Sequence, residues 1–256
     1  MLSINPFAAL SATVSPAVMQ AYVVVMIVLV VAGTLFEVVH KGSARYFFQN
    51  MRNSKAKGAR ALGGSELVSI AVQTAVVDVL ASGEFCNPRR RIAHLLGMYG
   101  FVLYVLATAV LVFEPAAGAI WAQLWWLGGL MACFGGYWFW FFIRVDVLAE
   151  GHSPFRVVRA DLFILSLLAS VTLGLIWAFL QARGSSGANV LFGLYIIAST
   201  VLFGSVLWSK FAHMFFKPAA AFEKRVSYAN DTRSNLPAPA DKPETFGIAR
   251  GQPRHY

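Results

Sequence analysis

Charge, cysteine and histidine are all scarce in this sequence. Only 13% of the 256 residues are charged, 58% are apolar, and the mean hydropathy is +0.63. Soluble domains carry about 25% charged residues, so the shortage excludes a soluble globule and a disordered chain. Two cysteines, Cys86 and Cys133, make no C-x-x-C pair. Zinc sites and iron–sulfur clusters draw on about four ligands in short-range pairs, which excludes both and leaves two unpaired thiols as the expected state. No Lys or Arg occurs in the first 40 residues, so the start lacks the basic region of a signal peptide. The net charge of +9 would point to nucleic acid in a soluble chain. Here the charges are confined to a few stretches between apolar runs. They read as the cytoplasmic bias of positive residues in a membrane protein, and no nucleic-acid partner is expected.

What is abundant is long apolar runs. A helix crosses a hydrocarbon core of about 30 Å with about 20 apolar residues. Runs at 21–39, 94–113, 119–143, 162–182 and 188–211 meet that length. They are continuous rather than alternating, which predicts helices and not barrel strands. Glu114-Pro115 and Gly184-Ser185-Ser186-Gly187 mark turns between spans. Of the 21 Lys and Arg, 20 fall in loop 40–93, loop 144–161 and the tail from Lys210; Arg183 alone falls on the other side. This predicts a multi-pass protein of the cytoplasmic (inner) membrane, N-terminus outside and C-terminus cytoplasmic.

The expected fold is all-α: an integral membrane bundle of five transmembrane helices with a cytoplasmic amphipathic helix and an extended C-terminal tail. Its parts are an external segment 1–16, a five-helix domain 17–217 containing cytoplasmic loop 40–93, and a Pro-rich tail 218–256. Residues 65–80 predict the amphipathic helix. Ser65 is its N-cap, and Leu67, Ile70, Thr74, Val77 and Leu80 fall near one face. A sixth, buried span or re-entrant segment is the alternative. Pro218, Pro237, Pro239, Pro243 and Pro253 predict an extended tail, read either as a docking segment or as a disordered end.

Four of the five histidines, His40, His94, His152 and His213, lie at or near cytoplasmic ends of these spans, and His255 lies in the tail. His94 begins span two and His213 follows span five, so both reach one membrane depth from opposed helices. A haem b needs that arrangement, with one imidazole from each of two helices. Two interfacial histidines bonded to headgroups or carbonyls fit it as well. Gly97 and Gly100 remove bulk beside His94. Stepping back from His213, Ser209, Val206, Leu202, Ser199 and Tyr195 form a narrow face. Glu37, Arg159 and Asp161 are rim charges, readable as proton delivery to a quinone or as paired, snorkelling groups. Trp121, Trp125, Trp126, Tyr137, Trp138, Trp140 and the phenylalanines from Phe134 to Phe142 form either a stacking wall for a quinone or an interfacial aromatic belt.

Three motifs carry a family resemblance. They are Arg-Ile-Ala-His-Leu-Leu-Gly-Met-Tyr-Gly-Phe at 91–101, Arg-Ala-Asp-Leu-Phe at 159–163, and Lys-Phe-Ala-His-Met-Phe-Phe-Lys-Pro at 210–218. Over roughly 17–218 the chain resembles the cytochrome b family of the respiratory nitrate reductase gamma subunit. The resemblance implies five spans, an outside N-terminus, and His94 and His213 as haem ligands; His40 and His152, also at cytoplasmic span ends, are the alternative ligands. Two-haem members carry a second ligand pair deeper in the membrane, where this chain has Tyr104 and Tyr195; the resemblance therefore implies one haem b. Small size and absent clusters look most like the short membrane anchor associated with adenylylsulfate reductase, related to the membrane subunit of the quinone-interacting oxidoreductase complex. That implies an electron-transfer subunit between a soluble flavin/iron–sulfur enzyme on the cytoplasmic side and quinone. The alternatives are a haem-free anchor that recruits the same enzyme and a gamma-type subunit of another respiratory complex.

Overall fold

The computed structural model describes residues 2–40, 43–57, 60–83, 85, 87–144, 155–206 and 213–232. Nine α-helices are found among them, and no strand: α1 (Pro6–Leu10), α2 (Pro16–His40), α3 (Ser43–Lys57), α4 (Gly64–Gln73), α5 (Pro88–Phe113), α6 (Ala119–Trp138), α7 (Leu162–Ala182), α8 (Ala188–Gly204) and α9 (His213–Ala229). A π turn, Thr74–Leu80, continues α4, and a second, Phe139–Ile143, continues α6. By length and composition four helices can cross a membrane: α2, α5, α6 with its π turn, and α7. Helix α8 is apolar but shorter, at 17 residues. The fifth expected span is thus helical only to Gly204, and residues 207–211 lie outside the described residues. The chain divides into two compact units. Among the described residues the first comprises 2–36, 88–144 and 155–206, and the second 37–40, 43–57, 60–83, 85, 87 and 213–232.

The first unit is an up-and-down array of α5 to α8 with α2 against it. Its tightest seam is α5 on α6, where glycines let backbones touch. A Cβ on Gly100 would sit 2.4 Å from the Ala132 amide nitrogen, and one on Gly135 would sit 2.6 Å from the Ala93 carbonyl oxygen. Without water to drive apolar burial, such close van der Waals approach is the main adhesive between helices in lipid. Helix α7 fits leucines into notches of α6, Leu175 at Gly129 and Leu168 at Gly136. It joins α8 through the buried Ser170–Ser199 hydroxyl pair at 2.7 Å. Helix α2 buries least, 17% of its apolar window, and is tied by the Tyr22 hydroxyl, which donates to the Ile196 carbonyl at 3.2 Å. Most of the apolar surface of α2 is therefore left exposed, on a helix long enough to cross a membrane.

At the end where α5 turns into α6 and α7 into α8, the short helix α1 closes the array. The Asn5 side chain accepts from the Phe7 and Ala8 amides and Pro6 occupies the first turn, so this five-residue helix is capped at its start. Asn5 Nδ2 donates to the Leu111 carbonyl at 2.9 Å, and Gln181 Nε2 to the Pro6 carbonyl at 2.6 Å. Phe7 enters the core between Trp125 and Trp177.

The second unit packs α9 against α3, α4 and its π turn. Ile70, Thr74, Ser82, Val226 and Asn230 form its buried centre. Three expectations are corrected here. Residues 65–80 are helical, but the cap is Gly63, with no side-chain cap bond, and not Ser65. The expected apolar face does not hold together: Ile70 and Thr74 are buried, whereas Val77 and Leu80 are exposed. The π turn is the physical reason. Its wider bonding pattern adds a residue to the turn and rotates everything after Gln73, bringing Asp78 to the packed side. The tail expected to be extended from Pro218 is instead helical to Ala229, with Pro218 inside α9. Proline removes one helical hydrogen bond, but the following Ala219–Ala221 run and buried Val226 favour the helix. The other four tail prolines lie outside the described residues.

Candidate functional site

In the first unit the charged end is built around one ion pair. Arg144 follows the π turn of α6, and Asp161 ends a short 3-10 turn that leads into α7. Arg144 Nε donates to Asp161 Oδ1 at 2.9 Å, and its Nη2 donates to Oδ2. The guanidinium also reaches the Arg156 carbonyl and lies 4.1 Å from the Trp140 ring centroid. Asp161 Oδ2 accepts from the Val158 amide at 2.9 Å. Both side chains are about nine-tenths buried, 9% and 11% exposed. The pair is a fork-to-fork contact, the strong geometry for arginine and carboxylate. Arg159, two residues from Asp161 in sequence, is exposed. Arg144 was open to recognition as the first charge after a 29-residue uncharged run; its partner was not, because 16 residues separate the two.

His94 stands near the same end, on α5, and is exposed. Gly97 follows on the same face, and no heavy atom lies within 4 Å of where its Cβ would be. Phe101, next on that face, meets Phe203 of α8 at 6.4 Å between ring centroids. A haem held between helices needs an imidazole donor and a strip without bulk beside it. Helix α5 offers both, so its residues fit that group. Gly100 is different: its missing Cβ serves the α6 contact and not a slot beside His94.

Further along the same helix the interior is full. Tyr104 stacks on Trp125 at 5.0 Å and Tyr195 on Trp177 at 5.8 Å, and both tyrosines are buried. Trp125 Nε1 donates to Thr108 Oγ1 at 2.9 Å, and Thr108 Oγ1 donates back to the Tyr104 carbonyl at 2.7 Å. The Tyr104 hydroxyl occupies the notch of Gly174, 2.3 Å from where a Cβ would stand. Side chains therefore fill the level at which the resemblance puts a second ligand pair.

In the second unit Arg225 grips Asp78, Nε to Oδ2 at 2.5 Å and Nη2 to Oδ1 at 2.9 Å. The hydrogen bond from Arg225 holds the Asp78 carboxyl below its usual range, and the same bond raises the guanidinium further. Partial burial pushes the Glu223 carboxyl up. Lys217 Nζ lies 5.5 Å from the Phe85 ring centroid. Neither Asp78 nor Arg225 was singled out from sequence, since nothing local couples residues 147 apart.

The remaining predicted residues fall as follows. His40 is the last residue of α2 and is exposed, and Glu37, three residues earlier, is 9% exposed. His213 is the first residue of α9, in the second unit. His152 and His255 lie outside the described residues. Among the described residues no group of three or more His, Cys, Asp or Glu is placed to hold a metal ion. No protein-family model, curated protein or solved structure matches this chain.

Proposed function

We propose that this chain is a membrane anchor and electron-transfer subunit. It links a soluble cytoplasmic flavin/iron–sulfur enzyme, of the adenylylsulfate reductase kind that the sequence motifs suggest, to quinone through one b-type haem. His94 and His213 are the ligands, the N-terminus is outside, and the loops and tail face the cytoplasm. The observation that carries the reading is the contrast along α5. His94 is exposed and no neighbour fills the place of a Cβ on Gly97, while the deeper level at Tyr104 is packed with aromatic rings. That contrast supports one haem rather than two.

A bound haem supplies one-electron transfer between the enzyme and quinone. The chain's own residues hold and position. His94 gives a nitrogen donor from a helix whose partner α6 is locked by backbone contact, so the donor is fixed in depth. Asp161 is engaged by Arg144 and anchors the start of α7. Glu37, Arg159 and Asp161 are the residues assigned to proton delivery and quinone binding in this reading.

The test is a dithionite-reduced minus oxidised spectrum of the purified protein. Wild type and His255→Ala should show b-type bands, and His94→Ala or His213→Ala should lose them. Bands that survive both of these variants and vanish with His40→Ala or His152→Ala would transfer the ligation to those residues. A folded wild type without bands would be the haem-free anchor.

A further inference from the structure

Helix α3 begins three peptide steps after α2 ends, a reach of at most about 11 Å. Its start is therefore held close to the end of a helix long enough to cross a membrane. It contains Arg45, Arg52, Lys55 and Lys57 and no acidic residue. Arg45, Phe48 and Arg52 fall on one helical face and are all exposed, Phe48 by 54%. Phe47 and Met51 are half-buried on other faces, and α3 packs against α9. Elsewhere in the unit Arg60 pairs with Glu66 and Arg225 with Asp78. Arg45 and Arg52 have no such match among the described residues.

We propose that the Arg45–Phe48–Arg52 face is a binding site for anionic phospholipid headgroups. The two arginines stand about 10 Å apart along the axis, so each takes its own phosphate, with the planar fork suited to that anion. Phe48, between them, enters the acyl boundary, as aromatic residues of interfacial helices do. An acidic protein surface would also satisfy the guanidinium groups; lipid is favoured because the short tether holds the start of α3 close to the end of a helix long enough to cross a membrane. The proposal does not depend on haem.

The experiment is amide hydrogen exchange over 43–57 in the full-length protein. It is reconstituted in nanodiscs of phosphatidylcholine alone or of phosphatidylcholine with phosphatidylglycerol. Phosphatidylglycerol should slow exchange of α3 by about fivefold for each arginine engaged. Arg45→Gln with Arg52→Gln should remove the difference, Arg45→Lys with Arg52→Lys should keep most of it, and Arg60→Gln should leave it unchanged. Equal exchange in the two bilayers would overturn the proposal. So would protection that appears only when the soluble enzyme is added, which would make this face a protein dock. If the glutamine pair melts α3 in both bilayers, the lysine pair still decides between the outcomes.

Discussion

The two units are held together by opposite means. In the first, helices are joined by missing atoms: glycines bring α5 and α6 backbones into contact, and hydroxyls and rings fill the remainder. Its single described ion pair, Arg144 with Asp161, sits at one end. In the second, a forked ion pair joins α9 to the π turn after α4, and a cation over a ring joins it to Phe85 beyond that turn. Yet in both units the charged partner sits on or next to a π turn, Arg144 after 139–143 and Asp78 within 74–80. The wide turn is a means of rotating a charge out of the helix's regular phase and into contact. The comparison teaches that apolar packing sets where these helices lie, while single charges set how their ends are turned.

The sharpest way to break that comparison is to restore atoms to the glycine seam. Gly100→Leu forces α5 off α6, because its neighbours are backbone atoms that cannot swing away. The expected loss is about 4 kcal/mol or more, among the largest single-residue effects. It would be read as failure to recover monodisperse protein, and a normal melting temperature would refute the seam. Next comes Asp161→Ala, which strands a mostly buried guanidinium. About 3 kcal/mol is expected, with local opening of 155–166 seen by proteolysis. If the melting temperature stays unchanged, Arg144 does not depend on its partner.

The smallest effect belongs to the second unit and is pH-dependent. The folded Asp78 carboxyl lies below its unfolded value, so its contribution is present above the unfolded value, about 3.9. It is lost as pH falls from there through the lowered folded value. Amide exchange of α9 should therefore quicken below about pH 4 in wild type. Asp78→Asn should show faster exchange already at neutral pH and lack that acid step. An identical acid step in both proteins would assign it to other carboxylates.

The apolar helices were readable because lipid solubility is written in composition. Runs 119–143 and 162–182 coincide with the observed helices, and 94–113 misses only the polar turn from Pro88. What could not be read was phase. A π turn leaves no hydrophobic signature, so the face expected for 65–80 is correct at Ile70 and Thr74 and wrong at Val77 and Leu80. Pro218 suggested extension, but one proline costs one bond, and the packing of Val226 outweighs it. In the candidate site, His94 and its glycine were legible as residue types at helical spacing. The partners of Asp161 and Asp78 were not, since long-range pairing follows from the fold and not from the spacing.

The closing helix α1 has a consequence for how the protein is made. Its seats are the Leu111 carbonyl, Trp125, Trp177 and Gln181. A ribosome produces Phe7 first and Gln181 some 174 residues later. A helix made that far ahead of its seats is thus among the last parts of its unit to settle. Until α7 has been inserted, α1 has no place to rest, and its docking marks the completion of that bundle.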